Sequence, residues 1–86
     1  MKKISYCDHK NVIHKQLRAI RKEQGISQGE LVAKMQTLNV NIDQQMISKI
    51  EKNMRIVTDY ELACFCKALR VTEKDLLEDF YNGSIG

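Results

Sequence analysis

One short pattern recurs three times and constrains this chain more than any other feature: a hydroxyl residue with a carboxylate three positions later. Ser27 with Glu30, Thr58 with Glu61, and Thr72 with Asp75 all fit it. Such a pair closes the start of a helix. The hydroxyl accepts from the third backbone amide, and the carboxylate reaches back to the first. A single match means little, but each of these opens a run of apolar residues at helical spacing. The third pair is weaker, because aspartate is a methylene shorter than glutamate. There is no proline in 86 residues, and glycine occurs only four times. Gly25 stands where a first helix should stop. These signals predict an all-α chain of helices joined by short turns.

The periodicity places five helices. The first runs from about Asn11 to Gln24, with Ile13, Leu17 and Ile20 on one stripe and Lys15, Arg18 and Lys22 opposite. The second follows Ser27 and carries Leu31, Val32, Met35 and Leu38. Residues 39–42 read as a turn, and Asp43 has the chemistry to cap a third helix from Gln44 to Lys52. The fourth spans Asp59 to Leu69, burying Leu62, Phe65, Cys66 and Leu69. The fifth spans about Glu73 to Phe80. Residues 1–9 read as a flexible basic tail, 10–81 as the folded domain and 82–86 as a second tail.

The third helix has the most informative surface. At about 100° per residue, Met46, Ile47 and Ile50 fall on one side. Gln44, Gln45, Ser48, Lys49 and Lys52 form an unbroken arc on the other, with no apolar residue and no acid. Glu51 sits at the boundary. Glutamine amides match the two-point edge of adenine, and lysines match guanine or phosphate. A solvated helix face would look similar, so the arc alone does not decide the matter. Charge adds to it. Residues 1–52 carry ten Lys/Arg against five Asp/Glu, a net of +5, whereas residues 53–86 carry four against six, a net of −2. A polyanion would meet the first part of the chain.

Other chemistry is sparse. Cys7, Cys64 and Cys66 are odd in number and unevenly spaced, which suits reduced thiols rather than a disulfide framework. His9 and His14 have no thiolate pair at metal-ligand spacing. There is no Gly-rich phosphate loop and no nucleophile with a base beside it. Neither an enzyme, a cofactor nor a bound metal is expected. The basic start is not followed by an apolar stretch, so the expected location is the cytoplasm, with no membrane partner.

The order of these parts resembles the Cro and repressor helix-turn-helix family of phage and bacterial regulators. The resemblance rests on Leu17 to Gln28, on Asp43 to Glu51, and on Tyr60 to Leu62, Lys67 to Val71 and Asp75 to Leu77, and it covers about residues 10–80. It implies a compact five-helix bundle of the lambda-repressor type that binds double-stranded DNA. It implies that Gln44, Gln45 and Lys49 read bases, and that Gln28, Ser48, Lys52, Asn53 and Arg55 hold phosphates. It also implies that Arg21 and Glu51 form a structural ion pair. Repression at a palindromic operator by a homodimer joined through the last helix would follow. The family also includes antitoxin-type proteins that bind a protein partner as well as DNA. The chain departs from the pattern in a longer connection between Leu31 and Ile47, which would bring Thr37, Asn39 and Asn41 towards phosphate. It departs again with Asn53 and Met54 where a glycine and a basic residue are usual.

Overall fold

The computed structural model describes residues 6–83. Within them the order is α1 (His14–Glu23), α2 (Gln28–Thr37), α3 (Gln44–Glu51), α4 (Asp59–Leu69), α5 (Glu73–Leu76) and α6 (Glu78–Tyr81). All three hydroxyl–carboxylate pairs form complete capping boxes. The aspartate version at Thr72 closes as well as the others: Asp75 N donates to Thr72 Oγ1 at 3.1 Å, and Thr72 N donates to the Asp75 carboxylate at 2.9 Å. Asp43 caps α3 by accepting from Met46 N at 2.8 Å.

The helices end by a common device. After α1, α2, α3 and α4 one residue turns into the left-handed region: Gly25, Asn39, Asn53 and Arg70, with φ of 69°, 64°, 61° and 56°. The next amide then reaches back to the last turn, as from Met54 N to Lys49 O at 2.8 Å and from Val71 N to Cys66 O at 3.0 Å. Glycine and asparagine tolerate this conformation, but an arginine is strained there.

Leu17 from α1, Leu31 and Met35 from α2, Ile47 and Ile50 from α3, and Phe65 and Leu69 from α4 are all fully buried in one core. Leu76 of α5 closes it. α3 packs against α1 and α2, α4 packs against α2, and α5 packs against α1 and α4.

Four expectations need correction. The predicted fifth helix is two short ones, broken at Leu77, whose ψ of 10° tilts the chain between them. Leu76 is buried by this arrangement and Phe80 is left exposed. The connection after α2 is more than a spacer, because Val40 and Ile42 are buried in the core while Asn41 between them faces out. α1 starts at His14 rather than Asn11. The Asn11 side chain is buried instead. It donates to Ile50 O at 2.9 Å and Arg55 O at 3.0 Å, and it accepts from Ile13 N at 3.1 Å. Finally, residues 6–9 form a tight turn, with Tyr6 and His9 exchanging backbone hydrogen bonds at 2.7 Å. The Tyr6 ring meets Phe80 edge-on, with centroids 5.4 Å apart. The remainder of that expected tail, and residues 84–86 of the other, lie outside the described residues.

A carboxylate ties the first three helices together. Glu51, at the end of α3, accepts from Arg21 Nε at 2.7 Å and Nη2 at 3.0 Å, and from Gln28 Nε2 at 3.0 Å. Arg21 also donates to Ile26 O at 2.8 Å, so it fixes the turn between α1 and α2. The hydrogen bonds to Glu51 push the guanidinium pKa above its ordinary value.

Cys66 is in the core, where burial pushes its thiol up to about 11, with the charges of Glu73 and Asp75 adding to the effect. Among the described residues, no helix is long and apolar enough to cross a membrane.

Two outcomes follow for stability. Glu51→Gln leaves Arg21 buried without its counter-charge and should lower unfolding free energy by about 3 kcal/mol, read from the denaturant midpoint. Arg70→Gly acts in the opposite direction. Relief of the left-handed strain is worth about 1 kcal/mol, and the greater freedom of glycine in the unfolded chain takes back about half of that. The midpoint of thermal unfolding should rise by about 3 °C.

Candidate nucleic-acid interface

α3 owes its position to its apolar edge. Ile47 and Ile50 are fully buried, Met46 is half-buried, and Glu51 is held by Arg21 and Gln28. With that side fixed, the opposite side faces out. Gln44, Gln45, Lys49 and Lys52 are exposed, and Ser48 is half-buried beside them. None of these five side chains has a hydrogen-bonding or ionic partner within the described residues. The helix is eight residues long, about 12 Å at 1.5 Å per residue. That length matches the width of the B-DNA major groove, about 12 Å. The face is therefore free, uncompensated in charge, and rich in groups that donate to base edges.

The remaining expected site residues are placed differently. Arg55 is clamped by Glu61, with Nη1 and Nη2 each 3.0 Å from a carboxylate oxygen, and Nη1 also donates to Ile56 O at 2.8 Å. Glu61 is buried, which pushes its carboxyl up. The Arg55 hydrogen bonds and the Thr58 amide outweigh that and leave it below its ordinary value. This pair anchors the start of α4. The Asn53 carbonyl oxygen accepts from Lys10 N at 2.8 Å and Asn11 N at 3.3 Å. Those bonds fix the orientation of the amide, so its Nδ2 points at His9 Nδ1, 3.0 Å away. Gln28 is spent on Glu51. Three of the five residues expected to hold phosphate are thus engaged inside the protein: Gln28 and Asn53 by partners distant in sequence, and Arg55 by the carboxylate of the box that opens α4. Thr37 is engaged too, donating to Lys34 O at 2.6 Å.

The structure also brings forward residues that sequence reasoning passed over. Arg18 and Lys22, on the outer face of α1, border the same surface as Ser48 and Lys52. Their signal was present in the polar stripe of the first helix, but their nearness to α3 is a property of the fold.

The comparisons agree with this geometry. No curated protein sequence matches the chain. Among solved structures, the chain is similar to the wild-type restriction-modification controller protein C.Esp1396I, at 28% identity and a TM-score of 0.69, over 91% of this chain and 92% of that one. The tetramer of that controller protein in complex with its natural 35 base-pair operator matches at 28% identity and a TM-score of 0.68, over 91% and 93%. The clp gene regulator ClgR from C. glutamicum has the same fold, with a TM-score of 0.73 at 22% identity over 94% and 95%. The sequence profile of the helix-turn-helix family matches residues 17–76, from the middle of α1 to the end of α5. The chain belongs to the Cro/C1-type helix-turn-helix family.

Proposed function

We propose that this chain is a cytoplasmic, non-catalytic transcriptional repressor that binds a palindromic operator as a homodimer and reads it with the outer face of α3. The observation that carries the proposal is the free amide-and-amine arc of Gln44, Gln45 and Lys49 on a helix whose other side is locked. As a helix-turn-helix regulator the chain binds DNA. Gln44 and Gln45 lie at the N-terminal end of the helix, the end that meets base edges in this motif. Each two-point contact from a glutamine to adenine is worth about 1–3 kcal/mol of discrimination. Lys49 follows one turn later. Ser48 and Lys52 meet phosphate from the same helix.

Two considerations support a dimer. A single small module covers roughly 600–1,000 Å² of protein surface, which gives modest affinity alone. The chain also exposes apolar surface away from α3. A groove of about 350 Å³ includes Tyr6, Ile56, Leu62 and Leu77 in its lining, and Tyr6 packs on exposed Phe80. A second copy of the chain seated there would cover it. Two recognition helices would then reach half-sites about one helical turn apart. The operator-bound tetramer of the controller protein supports oligomeric binding as the mode of action. Occupancy of a promoter would block polymerase, hence repression.

Selection from random duplex DNA tests the reading. Wild type should enrich a palindromic motif. Gln44→Ala/Gln45→Ala should retain salt-dependent binding and select a relaxed motif. An unchanged motif would take the two glutamines out of base reading, and a non-palindromic motif would contradict the dimer.

A further inference from the structure

A basic cleft of about 350 Å³ lies where α1, α2 and α3 meet, beside the outer face of α3. Its two walls are matched. Arg18 and Lys22 are four residues apart on α1, and Lys52, the C-cap of α3, follows Ser48 by four, so each pair shares a side. Gln28, the first residue of α2, lines the end of the cleft. The amides of the α2 N-terminus add a partial positive charge there.

The cleft has one carboxylate, Glu51, and it is already satisfied by Arg21 and Gln28. Arg18, Lys22 and Lys52 are exposed and have no acidic partner among the described residues. Three uncompensated cations converging on one concavity is an arrangement that attracts a phosphate. Its position, continuous with the base-reading face, says which phosphate. With α3 in the major groove, the cleft abuts one backbone strand at the groove edge.

We infer that Arg18 and Lys22 of α1, with Ser48 of α3 and Lys52 at its C-terminal cap, form a seat for the DNA phosphodiester backbone. The seat supplies the sequence-independent grip that Asn53 and Arg55, bound inside the protein, do not. It rests on the DNA-binding reading above and adds α1 to the contact surface.

The test is the salt dependence of binding. Affinity of the full chain is measured across salt concentrations for a labelled duplex carrying the selected motif and for a scrambled duplex of equal length. Arg18→Ala/Lys22→Ala is compared with Lys67→Ala/Lys74→Ala, which removes the same charge from α4 and α5. Alanine at exposed helical positions keeps the fold, and a thermal melt by circular dichroism verifies it. Each phosphate neutralised contributes about 0.9 to the slope of log affinity against log salt. Each of the two protomers in the dimer loses two such contacts, so the α1 variant should lose about 3.6 on both duplexes, with the affinity ratio between them unchanged. The α4/α5 variant should keep the wild-type slope. An α1 variant with the wild-type slope would overturn the seat, and so would an equal loss in both variants, which would mean diffuse charge alone. A wild type that does not distinguish the two duplexes would instead contradict base reading by α3 and leave the seat standing, provided the slopes still differ.

Discussion

The carboxylate of Glu51 holds three helices in one arrangement. It accepts from Nε and Nη2 of Arg21 in α1 and from the Gln28 amide at the start of α2. Its own backbone ends α3. A buried ion pair of this kind adds little to stability relative to a well-packed apolar replacement, because taking two charges out of water costs nearly what their attraction returns. It does add direction. Apolar packing of Ile47 and Ile50 holds α3 against the core but tolerates rotation about the helix axis. A two-point ion pair at the helix end does not. Once Glu51 is pinned, the rotation of α3 is set, and with it the direction in which Gln44, Gln45 and Lys49 point.

The same economy runs through the surface. Side chains that could bind anions divide into two groups. Arg21, Asn53 and Gln28 are drawn inward as stitches between segments distant in sequence, and Arg55 is held by Glu61 six residues on. Gln44, Gln45, Lys49, Lys52, Arg18 and Lys22 are left facing water. The stitches make a rigid frame of a small domain whose core could not alone orient every helix. The free groups keep their full hydrogen-bonding and electrostatic capacity for a ligand.

How much of this could be read from the sequence depends on the range of the interaction. The starts of α2, α3, α4 and α5 were legible because side-chain capping is local chemistry, complete within four residues. Ser27, Asp43, Thr58 and Thr72 all cap as expected. The break at Leu77 was not legible, since no glycine or proline marks it and the tilt follows from how α5 and α6 meet the core. Val40 and Ile42 looked like turn residues because their burial depends on helices that are remote in sequence. The roles of Asn11, Asn53 and Arg55 were hidden for that reason too: their partners lie across the fold or, for Arg55, in the box that opens α4. The outer face of α3 was legible because a helical wheel needs only spacing, whereas its contiguity with Arg18 and Lys22 needs the packing of α1 on α3.

α3 presents a fixed, unencumbered face to DNA, and the side-chain amides of that face sense what binds there. In ¹⁵N-labelled protein titrated with a duplex carrying the selected motif, the Gln44 and Gln45 side-chain amide resonances should shift. Those of Gln16 and Gln24, tied to Asp79 and to the Leu69 carbonyl on other faces, should stay in place. Unmoved Gln44 and Gln45 signals, with shifts at Gln16 or Gln24 instead, would place the DNA on another surface.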